Sequence, residues 1–320
     1  MSSGNVAYSY GPVPSRRLGK SMGINNIPSK VCTYSCVYCQ VGRTTQMRID
    51  RGTFYDPEAI ARDVAAHVAK AKKSSERVDY MTFVPDGEPT LDVNLGEEIN
   101  LLKTLDVPVG VITNSSLLWR DDVRKELCMA DWVSVKVDSV REATWRRVNR
   151  PHRRLEIQRI LEGITAFAES FTGQLVTETM LVGGINDESD DLYETAEFLK
   201  GIGPSTAYLS VPLRPPAENW SAAPGEVELT GAFRILSDAV RRVEYLIGYE
   251  GDAFASSGDA EKDLLSITAV HPMRDEAVAK LLERSGASRS LVERLVTQGD
   301  LVKTRWEGHD YYLRKFKKDG

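Results

Sequence analysis

Between residues 56 and 240 the chain alternates without interruption between strand-like and helix-like segments. No other feature narrows the possible folds so far. Asp56-Pro57 supplies an N-cap and a first helical residue. Ile60, Val64 and Val68 then fall on one face of a helix predicted over 57–77. A strand is predicted at 21–26 ahead of it. Further strands at 78–84, 107–113, 132–138, 174–182 and 207–213 are each followed by a helix, at 95–105, 121–129, 155–170, 187–200 and 229–240. Six β-then-α units predict an α/β fold with a parallel sheet and right-handed crossovers. Periodicity leaves open a barrel, a partial barrel and an open doubly wound sheet.

The pattern then changes. Residues 251–261, with Gly251, Ser256, Ser257, Gly258 and Asp259, read as a linker. Helices are predicted at 275–285 and 289–298, and a hairpin over 302–316 turns at Glu307-Gly308. With a strand at 267–270 opposite the hairpin, this describes a small winged-helix-like α+β module. The expected division is a barrel domain over 1–250 and the module over 262–320.

Charge excludes one class of function. The 320 residues hold 41 Lys and Arg against 46 Asp and Glu, a net of −5, so a uniformly basic nucleic-acid coat is ruled out. Residues 1–50 nevertheless carry six basic residues and one acid, and the charged middle reads as a solvated helical surface. No apolar run approaches the roughly 18 residues of a membrane span. Residues 1–10 lack the features of a secretory signal, so a cytoplasmic protein with no membrane partner is expected.

The strongest local signal is Cys32-x-x-x-Cys36-x-x-Cys39. Three cysteines within eight residues make a poor disulfide framework for this length, and thiols serving as ligands in a reducing compartment are the better reading. Three thiolates on one loop can hold three irons of a cubane cluster, leaving the fourth position open, as a catalytic metal site does. Zinc, with Cys128 or a histidine as fourth ligand, fits the same spacing. Cys128, between Leu127 and Met129 in a predicted helix, reads as a small apolar residue. His67, His152, His271 and His309 show no metal-ligand spacing, and His67 reads as a helix-surface residue.

Strand parity adds a second signal. Over 132–138, Ser134, Lys136 and Asp138 share one face and Val133, Val135 and Val137 the other. A parallel sheet covered by helices is apolar on both faces, so a polar face points to a wet lumen or an exposed edge. Tyr208, Ser210 and Arg214 repeat the pattern in the sixth strand. Glu178 lies within the fifth, where a lone buried carboxylate is costly, and Lys136 is a possible partner. Ligands in such sheets bind beyond the carboxyl ends of the strands, where Asp138, Asn186 and Arg214 are expected to project. Gly183-Gly184 is a turn able to approach a ligand by its backbone.

These residues carry a resemblance. A CxxxCxφC loop with Tyr38 at φ, at the start of a βα-alternating chain, resembles the radical S-adenosylmethionine superfamily. The run 10–19 (YGPVPSRRLG) with 32–40 (CTYSCVYCQ) resembles a branch of Fe–S oxidoreductases related to the wybutosine-synthesis enzymes. The resemblance covers about residues 8–240. It implies a partial (β/α)6 barrel and a [4Fe–4S] cluster on Cys32, Cys36 and Cys39. It further implies S-adenosylmethionine on the cluster's open iron, cleaved reductively to a 5′-deoxyadenosyl radical that abstracts hydrogen from substrate. The 83–90 run FVPDGEPT resembles the family's Gly-Gly-Glu-Pro turn, with Asp86 replacing the first glycine, and the 113–116 run TNSS its Thr-Asn-Gly. By resemblance and strand parity, Tyr38, Gly87, Glu88, Asn114, Ser134 and Asp138 are expected at the cofactor, and Lys136, Glu178 and Arg214 in the reacting lumen. Arg16 and Arg17 are candidates for an anion, and the 149–152 run NRPH for the substrate entrance.

An external flavodoxin- or ferredoxin-type electron donor is then implied. Basic and aromatic residues in the tail (Lys303, Arg305, Trp306, Tyr311, Tyr312, Arg314, Lys315) suit an RNA or peptide substrate. The alternative is a redox-sensing, metal-holding nucleic-acid-binding regulator, which would not need six βα units.

Overall fold

The computed structural model describes residues 8–247, 259–270 and 272–315. It opens with a hairpin of β1 (Ser9–Ser15), which sequence periodicity missed, and β2 (Gly19–Ile24), the strand expected at 21–26. Pro12 and Pro14 cannot donate to a ladder, which suits β1 to an edge. The Cys loop follows, flanked by a short parallel pair, β3 (Val31–Cys32) and β4 (Gln46–Met47). Then come α1 (Pro57–Lys73), β5 (Tyr80–Phe83), a 3₁₀ turn (Pro89–Leu91), α2 (Leu95–Lys103), β6 (Val109–Thr113), α3 (Asp121–Leu127) and β7 (Trp132–Lys136). Next are α4 (Glu142–Asn149), α5 (Ile157–Ser170), β8 (Gln174–Met180), α6 (Ser189–Ile202), β9 (Thr206–Ser210), α7 (Glu226–Ala239) and β10 (Val243–Leu246).

The main sheet runs β1-β2-β5-β6-β7-β8-β9-β10. Only β1 is antiparallel; the other seven strands are parallel. Six units were expected. The seventh parallel strand, β10, follows the last predicted helix after only a few residues and is too short for a periodic signal. The helices cover the outer face: Ile60, Val64 and Val68 of α1 are buried there, and Asp56 caps that helix through the Glu58 amide at 3.2 Å. α4 was also missed. Its charged surface gives it little apolar periodicity, though Trp145 and Val148 are buried.

The sheet curls into a partial barrel. Arg16, in the β1–β2 turn, donates to the carbonyls of Leu246 (2.8 Å) and Ile247, so the first hairpin reaches the last strand. Leu18 of the same turn packs with Trp132, Val176, Tyr208 and Leu246. Trp132 opens β7, so this cluster closes the amino-terminal end of the lumen. β7 lies inside the sheet between β6 and β8, which excludes the exposed-edge reading of its polar face.

Beyond residue 258 lie α8 (Ala260–Val270), β11 (Met273–Arg274), α9 (Asp275–Ser285), α10 (Ser290–Thr297), β12 (Leu301–Trp306) and β13 (His309–Arg314). The strand expected at 267–270 is the end of a helix. Asp259 accepts from the Lys262 amide at 3.0 Å to start it, and Leu264 and Ile267 are buried at helical spacing. The third strand is β11, paired with β13. Most of the expected linker falls outside the described residues. α8 and α9 share a core with Tyr10 and Val13 of β1. Among the described residues no helix is long and apolar enough to cross a membrane.

Candidate active site

The Cys loop crosses the carboxyl ends of the strands. It is sewn to the segment that ends α4: the Ser35, Val37 and His152 amides donate to the carbonyls of Asn149 (3.1 Å), Val148 (2.9 Å) and Thr33 (2.9 Å). The 149–152 run, expected at a substrate entrance, is thus a brace for the cysteines. Burial is the largest influence on all three thiols and pushes each up, Cys36 to about 12. For Cys32 the Glu88 carboxylate adds to it, and for Cys36 Asp138 does. Two amides point at the sulfurs: Asn114 Nδ2 lies 3.5 Å from Cys32 Sγ and Asn149 Nδ2 3.4 Å from Cys36 Sγ. Such donors favour the thiolate that a metal requires.

The loop rests on the turn after β5. A Cβ on Gly87 would stand 1.9 Å from the Val31 carbonyl oxygen, so only glycine lets the loop come this close. The Glu88 amide donates to that same carbonyl at 3.2 Å. The Glu88 side chain is fully buried and its acceptors are filled. Oε1 takes Thr90 N (3.2 Å), Thr90 Oγ1 (2.6 Å) and Thr113 Oγ1 (2.7 Å), and Oε2 takes Asn114 N (2.7 Å). Burial outweighs these neutral donors and raises Glu88 above the usual carboxylate value. Glu88 therefore fixes the β5 turn to the exit of β6. Asn114, held in this way, bonds Thr33 Oγ1 at 2.8 Å. Asp86, in place of the family's first glycine, is buried, and its Oδ1 has no hydrogen-bond partner.

Asp138 is engaged to the same degree. It accepts from Tyr38 Oη, from Asn149 Nδ2 at 2.6 Å and from the Met180 amide at 2.9 Å. Asn186, expected to project at the strand ends, instead shapes its own loop: Oδ1 accepts from Val182 N, and Nδ2 donates to the Asp138 and Met180 carbonyls, all at 2.8 Å. Ser134 is buried in β7.

Below the Cys loop lies a cavity of about 260 Å³ whose lining includes Cys39, Tyr38, Lys136, Glu178, Ser210 and Arg214. Lys136 and Glu178 are register partners on β7 and β8, and their side chains meet at 2.9 Å. Ser210 Oγ adds a hydrogen bond to Glu178 at 2.9 Å, and Arg17 a second ion pair. Lys136 Nζ lies 4.9 Å from the Tyr38 ring centroid. Burial opposes the charge on both residues. The mutual attraction, with Arg17, wins: Glu178 is held well below the usual carboxylate value and Lys136 above the usual ammonium value. Arg214 Nη1 donates to Gln40 Oε1 at 2.6 Å, beside Cys39.

Sequence reasoning missed the parts played by Asn149, Thr33 and Arg17. Their signal is positional, since each acts across the barrel. His67, read as surface, is partly buried with Nδ1 2.5 Å from Ser9 Oγ, and joins α1 to β1. Cys128 packs at the end of α3 beside Ser170 Oγ, at 3.8 Å, away from the other thiols.

This constellation meets the comparisons with known proteins directly. The sequence pattern of the radical SAM superfamily matches residues 26–199. The chain belongs to the radical SAM superfamily. A UPF0026 protein of Methanocaldococcus jannaschii is 45% identical over 314 residues, covering 98% of this chain and 97% of the relative. A UPF0026 protein of Synechocystis is 38% identical over 208 residues, 64% of this chain and 76% of its own. A radical SAM methyltransferase from Sphaerobacter thermophilus shares the fold, with a TM-score of 0.51 at 15% identity, over 73% of this chain and 69% of its own.

This radical SAM protein is an enzyme of the general radical-chemistry kind, and its family supports S-adenosylmethionine and a [4Fe–4S] cluster as cofactors. The residues present fit them. Three desolvated thiols sit on one loop, two with an amide donor at the sulfur. Among the described residues no three Cys, His, Asp or Glu side chains converge as the ligands of one ion would.

Proposed function

We propose that Cys32, Cys36 and Cys39 hold a [4Fe–4S] cluster beside S-adenosylmethionine, and that the chain catalyses hydrogen abstraction from a substrate entering the lumen. When bound and reduced by an external flavodoxin- or ferredoxin-type donor, the two cofactors supply a 5′-deoxyadenosyl radical. The observation that carries the reading is the convergence of the Glu88 turn and Asn114 on the Cys loop, whose Tyr38 and Cys39 line one cavity with Lys136 and Glu178. In it, Tyr38, Gly87, Glu88, Asn114, Ser134 and Asp138 shape and orient the cofactor side. Lys136, Glu178 and Arg214 face substrate. A cytoplasmic site of action suits the free thiols.

We read the C-terminal unit as a winged-helix-like module that serves the substrate. Its Tyr311 hydroxyl donates to the carbonyl of Leu213, a cavity-lining residue, at 3.2 Å, so the module abuts the mouth. Of the two macromolecular readings, a peptide is better supported than RNA. Tyr311 and Tyr312, expected as stacking surfaces, are buried, and Lys303 is paired with Asp310 at 2.7 Å. β12 is an edge strand, open to strand addition. Retention of total RNA should accordingly show no steep loss between low and moderate salt.

The test is iron content and cofactor cleavage after anaerobic reconstitution. Wild type and Cys128→Ala should be brown and release 5′-deoxyadenosine on reduction. Cys32→Ala, Cys36→Ala and Cys39→Ala should each lose the chromophore. Full iron in Cys36→Ala would remove the cluster from this loop.

A further inference from the structure

Tyr38 and Cys39 turn toward the cavity, but two other segments, 43–50 and 146–154, hold the Cys loop without lining that cavity. Met47 of β4 is the register partner of Cys32, and the Arg48 amide donates to the Cys32 carbonyl at 3.1 Å. The Thr44 amide donates to Ser35 Oγ at 3.3 Å. The second segment is the brace already described, bonded to Thr33, Ser35 and Val37. Together the two segments hold seven arginines. Asp50 pairs with Arg154 at 3.3 Å and Glu142 with Arg146 at 2.8 Å. Glu218 is shared by Arg43 at 2.9 Å and Arg150 at 2.5 Å. With Glu156, which follows at the start of α5, seven arginines stand against four acids. Arg147 and Arg153 are exposed and pair with no described acid. Arg48 gives Nε to the Asp50 carbonyl at 2.8 Å, which cancels no charge.

The Glu218 clasp shows how the charge is presented. Its carboxylate side chain is 8% exposed, whereas that of Arg43 is 70% and that of Arg150 40% exposed, so the acid lies inside and the cations outside. Two large apolar side chains stand exposed at or beside the same segments: Met47, and Trp220 two residues beyond Glu218. Methionine, aromatic and arginine side chains are the types enriched where proteins dock. A net-positive face also draws in an acidic protein and orients it. Four interspersed acids suit the patterned charge of a protein surface better than the uniform charge of a phosphate backbone. Position points the same way. An electron that reaches the Cys loop while cofactor and substrate fill the lumen has to enter from the side away from the cavity.

We propose that this arginine-rich face is the docking surface for an acidic flavodoxin-type electron carrier. The proposal rests on the function proposed above and places its reductant. A carrier of this class exposes the apolar edge of its flavin among acidic side chains, the complement of Met47 and Trp220 among arginines. One electron leaves the anionic flavin hydroquinone, which becomes the neutral semiquinone. The same electron takes a [4Fe–4S]²⁺ cluster on the Cys loop to [4Fe–4S]⁺, and no bond forms or breaks. The contact needs to last only for that transfer, which suits a small interface steered by charge.

The experiment is anaerobic stopped-flow mixing of the reconstituted full chain with prereduced flavodoxin, followed by the appearance of the semiquinone. The variant carries Arg147→Glu and Arg153→Glu, two exposed positions outside any ion pair. At low salt it should accept electrons from flavodoxin about tenfold more slowly than wild type or worse, the scale of lost electrostatic steering. The gap should close between ~20 and ~500 mM salt, as screening removes the attraction. Arg147→Gln with Arg153→Gln should fall between the two. A small uncharged deazaflavin photoreductant, which needs no docking surface, should reduce wild type and both variants equally. Iron content and circular dichroism confirm that each protein is folded and loaded. An unchanged flavodoxin rate in a loaded charge-reversal variant overturns the proposal and leaves the enzyme reading standing. Equal slowing with flavodoxin and deazaflavin also overturns it, because the arginines then act on the cluster and not on a partner. If reversal spares the flavodoxin rate but abolishes retention of an RNA oligonucleotide, the face belongs to nucleic acid and the proposal is wrong. If iron does not load on the Cys loop of wild type, the enzyme reading falls and the docking surface with it.

Discussion

Glu178 and Glu98 are both carboxylates shut inside the same domain, and their surroundings treat them in opposite ways. Glu178, in the lumen, meets Lys136, Arg17 and Ser210 and is held well below its usual value against the pull of burial. Glu98, on α2 behind the Pro89 turn, accepts from the Asn26 amide at 3.1 Å and otherwise faces the carboxyl of Asp92, with no ordinary donor at its Oε1. Its neighbour Asp92 likewise has an unmatched Oδ2. Burial first, and then the field of Asp92, push Glu98 up, and burial raises Asp92 too. Burial alone therefore does not set ionisation. Cations in the lumen keep one carboxylate charged where chemistry is expected. A proton held between two acids keeps Glu98 itself neutral where only packing is needed.

The largest effect should come from breaking the lumen side. Glu178→Gln leaves Lys136 and Arg17 buried without their counter-charge, and losing one partner of a buried pair costs about 3–5 kcal/mol. The urea midpoint at neutral pH should drop accordingly. A change under ~1 kcal/mol would mean that water screens the triad, and the contrast with Glu98 would then disappear. The Glu178 contribution is present at neutral pH, because the folded carboxyl lies below its unfolded value. It should be lost only as pH falls below the ordinary carboxylate range.

An intermediate effect belongs to Glu88, which is as buried as Glu98 but surrounded by neutral donors. Glu88→Gln turns an NH₂ toward donors from Thr90, Thr113 or Asn114 and should cost about 1–3 kcal/mol. The same change should loosen Asn114 and weaken S-adenosylmethionine binding. Unaltered cofactor affinity in a folded Glu88→Gln protein would detach this turn from the cofactor side.

How much of this was legible depended on whether a residue's partner was near in sequence or implied by a pattern. The parallel strands and the cysteine spacing could be read because periodicity and a three-residue motif are local. The polar face of β7 could be read because alternation exposes it, and Lys136 was already a candidate partner for Glu178. Arg17 could not be assigned, since its partner lies 161 positions away and is reached only when the hairpin plugs the barrel. The 149–152 run drew attention by its resemblance to the family, yet its role as a brace depends on hydrogen bonds to the Cys loop that no periodicity signals. The end of α8 looked like a strand because Ile267, Thr268 and Val270 favour β structure. The cap at Asp259 and the buried Leu264 and Ile267 override that preference.

The smallest effect, and the finest test of the contrast, lies at Glu98. The folded carboxyl is raised above its unfolded value, so Glu98 keeps a proton in the native protein that the unfolded chain releases. Its contribution is complete below the ordinary glutamate value and declines as pH rises above it. This is the reverse of Glu178. A neutral amide of the same shape reproduces the protonated state without titrating. Glu98→Gln should therefore leave the urea midpoint within about 0.5 kcal/mol of wild type at pH near 5, as substitutions that break no essential contact do. Toward alkaline pH the variant should become the more stable of the two, because wild type must either retain a costly proton or bury two charges beside each other. Asp92→Asn should act in the same direction. Parallel stability curves for wild type and Glu98→Gln from pH 5 to 9 would mean that the pair carries no shared proton, and that Arg51 and its neighbours neutralise this wall as Lys136 and Arg17 do the lumen.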